Sequence, residues 1–172
     1  MEDDTPPEHQ DQTNALSGAT AQSAQSSGRR LILRTDGASR GNPGHAAAGV
    51  VIEDADADGA LVAQGRLYLG VLTNNQAEYR ALILGLKTVG QYNPAAVFVY
   101  MDSDLLVQQM NGTYKVKNAE LAPLYAEARA LADALPNVAF THVRRGFNAK
   151  ADRLANEALD ERNRRNATQV RS

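Results

Sequence analysis

Leu31-Ile32-Leu33-Arg34-Thr35-Asp36-Gly37-Ala38-Ser39-Arg40-Gly41-Asn42-Pro43-Gly44 is the stretch on which the reading of this chain turns. Three large apolar residues run into a polar, glycine- and proline-rich segment, which reads as a strand followed by a turn. Asp36 stands at the end of the strand's core portion. A carboxylate there is costly unless it is paired or holds a metal ion. The same arrangement recurs downstream: Val97-Phe98-Val99-Tyr100-Met101, a run of the kind buried in a central strand, leads into Asp102.

Outward from residue 44, Ala48 to Glu53 reads as a second strand, Asp56 to Gly59 as a polar turn and Ala60 to Leu69 as a third strand. Short links between three strands imply an antiparallel meander. The period then changes. From Asn75, Ala77, Ala81, Leu82, Leu84, Leu86 and Val89 recur at helical spacing, with Thr73 and Asn74 as candidate caps and Pro94 beyond the end. Ala96 to Met101 follows as a strand, Leu105 to Met110 as a short helix stopped by Asn111-Gly112, and Ala119 to Leu135 as a helix with Pro123 in its first turn. Val138 to Val143 reads as a fifth strand and Ala149 to about Asn163 as a last helix. The order β-β-β-α-β-α-α-β-α predicts an α/β fold with one mixed five-stranded sheet and helices packed against it.

Upstream, residues 1–29 are rich in Gln, Ser, Thr, Ala, Asp and Pro and carry five acids against one base. Such a segment buries too little apolar surface to offset its ordering entropy, and it is expected to be a disordered tail. The domain is expected over residues 30–162, with residues 163–172 as a second flexible tail. The basic cluster Arg162, Arg164 and Arg165 reads as a solvated helix end in preference to a phosphate contact.

Composition narrows the function. The 172-residue chain contains no cysteine, which excludes a disulfide scaffold, a thiolate zinc site and a cysteine nucleophile. No apolar run is long enough to cross a bilayer, and the N-terminus lacks the basic and apolar regions of a secretory signal. A cytoplasmic monomer with no obligate protein partner is the simplest expectation. Net charge is −2, but residues 30–172 hold 17 bases against 15 acids. Neither figure marks a strongly basic binder, so any grip on a polyanion must come from local groups and metal ions.

Four acids remain after the solvent-facing ones are set aside. Asp36 and Asp102 demand a partner on cost alone. Glu78 and Asp152 fall in the first turns of their helices, where a carboxylate also complements the helix dipole, so either role fits them. If the strands bearing Asp36 and Asp102 are neighbours, the acids repel unless hard cations such as Mg²⁺ lie between them.

These residues form a recognisable set. Thr35 through Gly44 resembles the first motif of the type 1 ribonuclease H family. Thr73-Asn74-Asn75-Gln76-Ala77-Glu78 resembles the second, Met101-Asp102-Ser103 the third, and His142 through Asp152, continuing into Leu154-Ala155-Asn156, the fourth. The motifs stand in the family's order and cover residues 31 to about 160. The resemblance implies the ribonuclease H-like fold. It implies hydrolysis of the RNA strand of RNA–DNA hybrids with two Mg²⁺ ions, for which Mn²⁺ can substitute, leaving 5′-phosphate and 3′-hydroxyl ends. It makes Asp36, Glu78, Asp102 and Asp152 the metal ligands. It places Asn42, Asn75 and backbone near Gly37 against the RNA strand, Thr73 and Asn74 near a DNA phosphate or the minor groove, and Ser103 among the substrate-binding residues; read without it, Asn42 is a turn residue and Thr73 a cap.

Two departures stand out. The basic helical protrusion of many bacterial members is reduced to the link Asn111 to Asn118. The loop histidine of many members is replaced in His142-Val143-Arg144-Arg145-Gly146-Phe147-Asn148 by arginine, assigned to Arg145 with Arg144 as the alternative. His142 is placed on the strand. Asp104 is read as a cap of the helix after it, outside the ligand set. A non-catalytic nucleic-acid module has no need of clustered acids facing a polyanion, and a glycosidase needs only two. A DNA-cutting nuclease of the same fold is the remaining competitor.

Overall fold

The structure, a computed structural model, describes residues 28–169. The expected N-terminal tail therefore lies outside the described residues except for Gly28 and Arg29. Strands β1 (Arg30–Gly41), β2 (Gly44–Asp54) and β3 (Ala60–Leu72) are followed by helix α1 (Asn74–Gly90), β4 (Ala96–Met101), α2 (Asp104–Met110), α3 (Ala122–Asp133), β5 (Val138–His142) and α4 (Ala149–Gln169). One sheet has the order β3-β2-β1-β4-β5. The β1–β2 and β2–β3 pairs are antiparallel, and the β1–β4 and β4–β5 pairs are parallel. The mixed five-stranded sheet read from the sequence is thus the one observed.

Alternation along the central strands sorts the core between two faces. Leu31, Leu33, Val50, Ile52, Val97 and Val99 pack with Tyr79, Leu82 and Leu86 of α1 and Leu124 and Ala128 of α3. The other face is thinner: Ala47 packs with Ala158 and Leu159, and Val51 with Ala151 and Leu154, all from α4. Small residues on that face bring α4 close to the sheet.

Several boundaries differ from the sequence reading, each for a local reason. β1 does not end at Asp36. Its parallel pairing with β4 stops at Arg34↔Tyr100, but the antiparallel ladder with β2 continues to Gly41↔Gly44. Asp36 therefore sits inside a long hairpin, at the point where β1 outruns β4. β2 begins at Gly44 rather than Ala48, and β3 ends at Leu72 rather than Leu69, for the same reason. Glu78 is not in the first turn of α1. Thr73 caps that helix in a reciprocal box, its hydroxyl accepting from the Gln76 amide at 3.2 Å while the Gln76 side chain accepts from the Thr73 amide at 2.9 Å. The helix thus starts at Asn74, and Glu78 falls one turn further in.

α3 begins at Ala122 rather than Ala119, because the Asn118 side chain accepts from the Glu120 and Leu121 amides and holds residues 118–121 in a turn. Ser103, not Asp104, caps α2. α4 continues to Gln169 instead of ending near Asn163. Its polar second half is tied to the sheet by Arg40–Asp160 at 2.7 Å, by Arg66–Glu161, and by the Arg162 guanidinium 5.0 Å above the Tyr68 ring.

A candidate active site where two helices meet the central strands

Asp36 on β1 and Asp102 just beyond β4 come from neighbouring strands, and Glu78 reaches them from α1. One carboxylate oxygen from each lies within 4.8 Å of the others. Asp152, in the first turn of α4, lines the same pocket of about 400 Å³. Gly37, Ser103 and Arg145 line it as well, so all of the expected catalytic and metal residues face one cavity. Arg144 is exposed and does not line that pocket. His142 ends β5, aligned with Met101.

Two glycines set this convergence. A Cβ on Gly37 would lie 2.2 Å from the Ala77 carbonyl carbon and 2.4 Å from the Glu78 nitrogen. A Cβ on Gly49, which stands opposite Asp36 in the ladder, would lie 2.0 Å from the Ala151 oxygen. Without side chains at these positions, α1 and α4 approach β1 and β2 closely enough to bring Glu78 and Asp152 to the pocket.

The electrostatics are those of buried carboxylates that repel one another. Burial first, then the charges of Asp102 and Asp152, push Asp36 up to about 7, and its residue is only 4% exposed. Burial, followed by Asp36 and Asp102, holds Glu78 well above the carboxylate range, although the Gly37 amide pulls it down. Glu78 Oε2 is buried with no hydrogen-bond partner among the described residues. Converging oxygens with an orphaned buried acceptor among them are a donor set suited to a hard divalent cation. Asp152 is held separately: Oδ1 accepts from Asn156 Nδ2 at 3.2 Å and lies 3.4 Å from Arg145 Nη2.

A second groove of about 390 Å³ adjoins the first through Asn74, which lines both. Asn42, Thr73 and Asn75, expected from the sequence to contact substrate, line this groove together with Asn118 and Glu120. Sequence reading missed these two. The only signal for Asn118 was an asparagine preceding a helix, which reports a turn and nothing about its distance from Thr73.

The family described as Reverse transcriptase-like matches residues 34–158. RNase H1 from the halophilic archaeon Halobacterium salinarum is 41% identical with a TM-score of 0.73, the match covering 77% of this chain and 98% of that one. The chain belongs to the type 1 ribonuclease H family. LC11-RNase H1, solved in complex with an RNA/DNA hybrid, is 42% identical with a TM-score of 0.72, over 76% of this chain and 97% of that one. The bifunctional protein Rv2228c of Mycobacterium tuberculosis is 43% identical over 131 residues, covering 76% of this chain and 36% of that protein. The chain thus spans little more than a third of the length of its mycobacterial relatives. As a ribonuclease H fold it has no further helix between α2 and α3 among the described residues. No described helix is long and apolar enough to cross a membrane.

Proposed function

We propose that this chain is an endonuclease that hydrolyses the RNA strand of RNA–DNA hybrids with two Mg²⁺ ions, or Mn²⁺ in their place, and leaves 5′-phosphate and 3′-hydroxyl ends. The observation that carries the reading is the convergence of Asp36, Glu78 and Asp102, with Asp152 in the same pocket, beside an asparagine-lined groove. The four acids would hold the ions. Once bound, the ions supply Lewis-acid stabilisation of the phosphoryl oxygens and a lowered pKa for the attacking water.

The chain's own groups do the rest. The Asn42 Oδ1 accepts from the Asn74 amide at 3.0 Å, which leaves its NH₂ to donate into the groove. Asn42 and Asn75 would read the RNA 2′-hydroxyls, the feature that separates RNA from DNA. The Thr73 and Ser103 hydroxyl oxygens already accept from helix amides, so their protons remain to donate to the nucleic acid. Thr73, Asn74 and Asn118 would bind the DNA strand, while Gly37 and Ser103 would lie against the RNA. Arginine is not a base in neutral solution, so Arg145 would serve instead to offset charge on the departing phosphate. Its side chain is 79% exposed. Arg145→Ala is expected to lower kcat about tenfold with no change in melting temperature, and Arg145→Lys to recover part of the loss.

Labelled RNA–DNA hybrid, duplex RNA and duplex DNA, each with Mg²⁺, Mn²⁺ or EDTA, provide the test. Cleavage confined to the RNA strand of the hybrid and abolished by EDTA is the expected result. Equal cutting of duplex DNA, or cutting that persists in EDTA, overturns the proposal.

A further inference from the structure

The turn Arg145–Asn148, which links β5 to α4, has an unusual anchor. Arg145, Gly146 and Phe147 are exposed, Phe147 to 71%, so no apolar side chain holds the turn down. The one buried residue is Asn148, at 0% exposure. Its Nδ2 donates to the Thr35 carbonyl at 2.9 Å, across 113 positions of sequence. Its Oδ1 is buried and has no hydrogen-bond partner among the described residues. Burying half an amide unpaired is unfavourable, and an apolar residue would fill the space without that cost. The bond must therefore be kept for where it puts the chain.

Both ends of the bond adjoin the acids. Thr35 precedes Asp36, at the point where β1 has lost its pairing with β4. Asn148 stands four residues before Asp152. Arg34 adds a parallel tie: its Nη1 donates to the Phe147 carbonyl at 3.2 Å, and its Nε donates to Glu53, which also accepts from Lys150 of α4 at 2.7 Å. Burial alone would raise the Glu53 pKa, but the bonds from Lys150 and Arg34 outweigh it and hold the carboxylate below its usual range. Backbone on either side of the pocket is thus joined by polar bonds directed at two carbonyls.

We propose that Asn148 is a positioning residue for the acid cluster, its buried amide locking the turn before α4 onto the backbone beside Asp36 and so fixing where Asp152 stands. The inference rests on the metal-dependent reading above for its effect on rate, but its metal-binding readout does not require cleavage. Asn148→Ala is expected to weaken Mn²⁺ binding, measured by titration calorimetry without substrate, by about 10- to 100-fold. It should lower kcat by roughly 100-fold and leave KM for the hybrid within about threefold, as a misplaced group would. Asn111→Ala is the matched control. It removes the same kind of bond, from Asn111 Nδ2 to the Phe140 carbonyl at 3.2 Å, at the far end of α2, and is expected to leave Mn²⁺ affinity and kcat unchanged. Because Asn148 acts through Asp152, Asn148→Ala should add nothing to the loss of Mn²⁺ affinity in Asp152→Asn.

Three results overturn the proposal: wild-type Mn²⁺ affinity in Asn148→Ala, equal losses in Asn111→Ala, or additive losses in the double variant. If Asn148→Ala does not fold, Asn148→Ser is titrated in its place, with the same outcomes deciding. If the wild-type protein binds Mn²⁺ but leaves the hybrid intact, the functional reading fails while the titrations still decide the role of Asn148.

Discussion

Asp36→Asn is expected to lower hybrid cleavage by roughly a thousandfold in kcat and, in the same protein, to raise the melting temperature measured in EDTA. The first effect follows from position. Asp36 is electrostatically coupled to each of the other three acids: Asp102 and Asp152 act on it, and it acts on Glu78. An amide in its place keeps the shape but withdraws the negative charge that a cation requires. The second effect follows from its pKa. Burial and its acidic neighbours raise the folded-state value to about 7, against about 3.9 in an unfolded chain. Between those values the folded state holds a proton that the unfolded state has released, so stability falls as pH rises from about 4 to about 7 and stays lost above. Asn carries no such penalty.

At pH 8 without metal the variant should therefore gain about 1–2 kcal/mol, or roughly 3–6 °C. At pH 5, about a third of the way from the unfolded value to the folded one, the gap should shrink to about a third of its size at pH 8. Adding Mg²⁺ should stabilise the wild type and not the variant, because only the charged cluster rewards a cation. Thermal melts at pH 5 and pH 8, with EDTA or Mg²⁺, give the four numbers needed. A variant less stable than wild type at pH 8 in EDTA would show that the acids are not in mutual repulsion.

How far the site was legible in sequence depends on the range of the interaction that makes it. The β4 strand was read at its observed limits, Ala96–Met101, because a continuous apolar run flanked by Pro94 and Asp102 is a local signal. Asp36 and Asp102 stood out because a charge beside an apolar run is anomalous wherever the run folds. Glu78 and Asp152 could not be separated from dipole partners, because an acid near a helix start looks the same whether or not another strand lies opposite. The end of α4 was missed because Arg66, Tyr68 and Arg40, which hold its polar half, are about 90 or more positions away. Asn148 was passed over for the same reason: its side chain's partner among the described residues is a backbone carbonyl, and carbonyls have no letter in the sequence.

The same limit applies to the glycines, and it yields the second large effect. Gly49→Ala adds a single methyl group and is expected to lower kcat by about 100-fold and stability by about 3 kcal/mol. Gly49 lies in the middle of β2, where glycine weakens a strand, and no turn or left-handed backbone calls for it. Its reason is the Ala151 carbonyl, 2.0 Å from where the methyl would stand, with the Ala155 nitrogen at 2.9 Å. Both are backbone atoms of α4, so no side-chain rotation relieves the overlap. The helix must move outward or β2 must buckle, and either shift carries Asp152 away from Asp36, which faces Gly49 across the ladder. Gly65→Ala is the control: it also lies in a strand, and a methyl there meets nothing within 4 Å. It should retain wild-type kcat and melt within about 2 °C of the parent. The effect of Gly49→Ala should fall on kcat and Mn²⁺ affinity more than on KM, because the asparagine groove is built on the tip of the β1–β2 hairpin, the start of α1 and the turn before α3, and no residue of α4 lines it. A Gly49→Ala protein that cleaves at the wild-type rate would mean that the close approach of α4 to β2 does not place Asp152, and that the fourth acid reaches the site by another route.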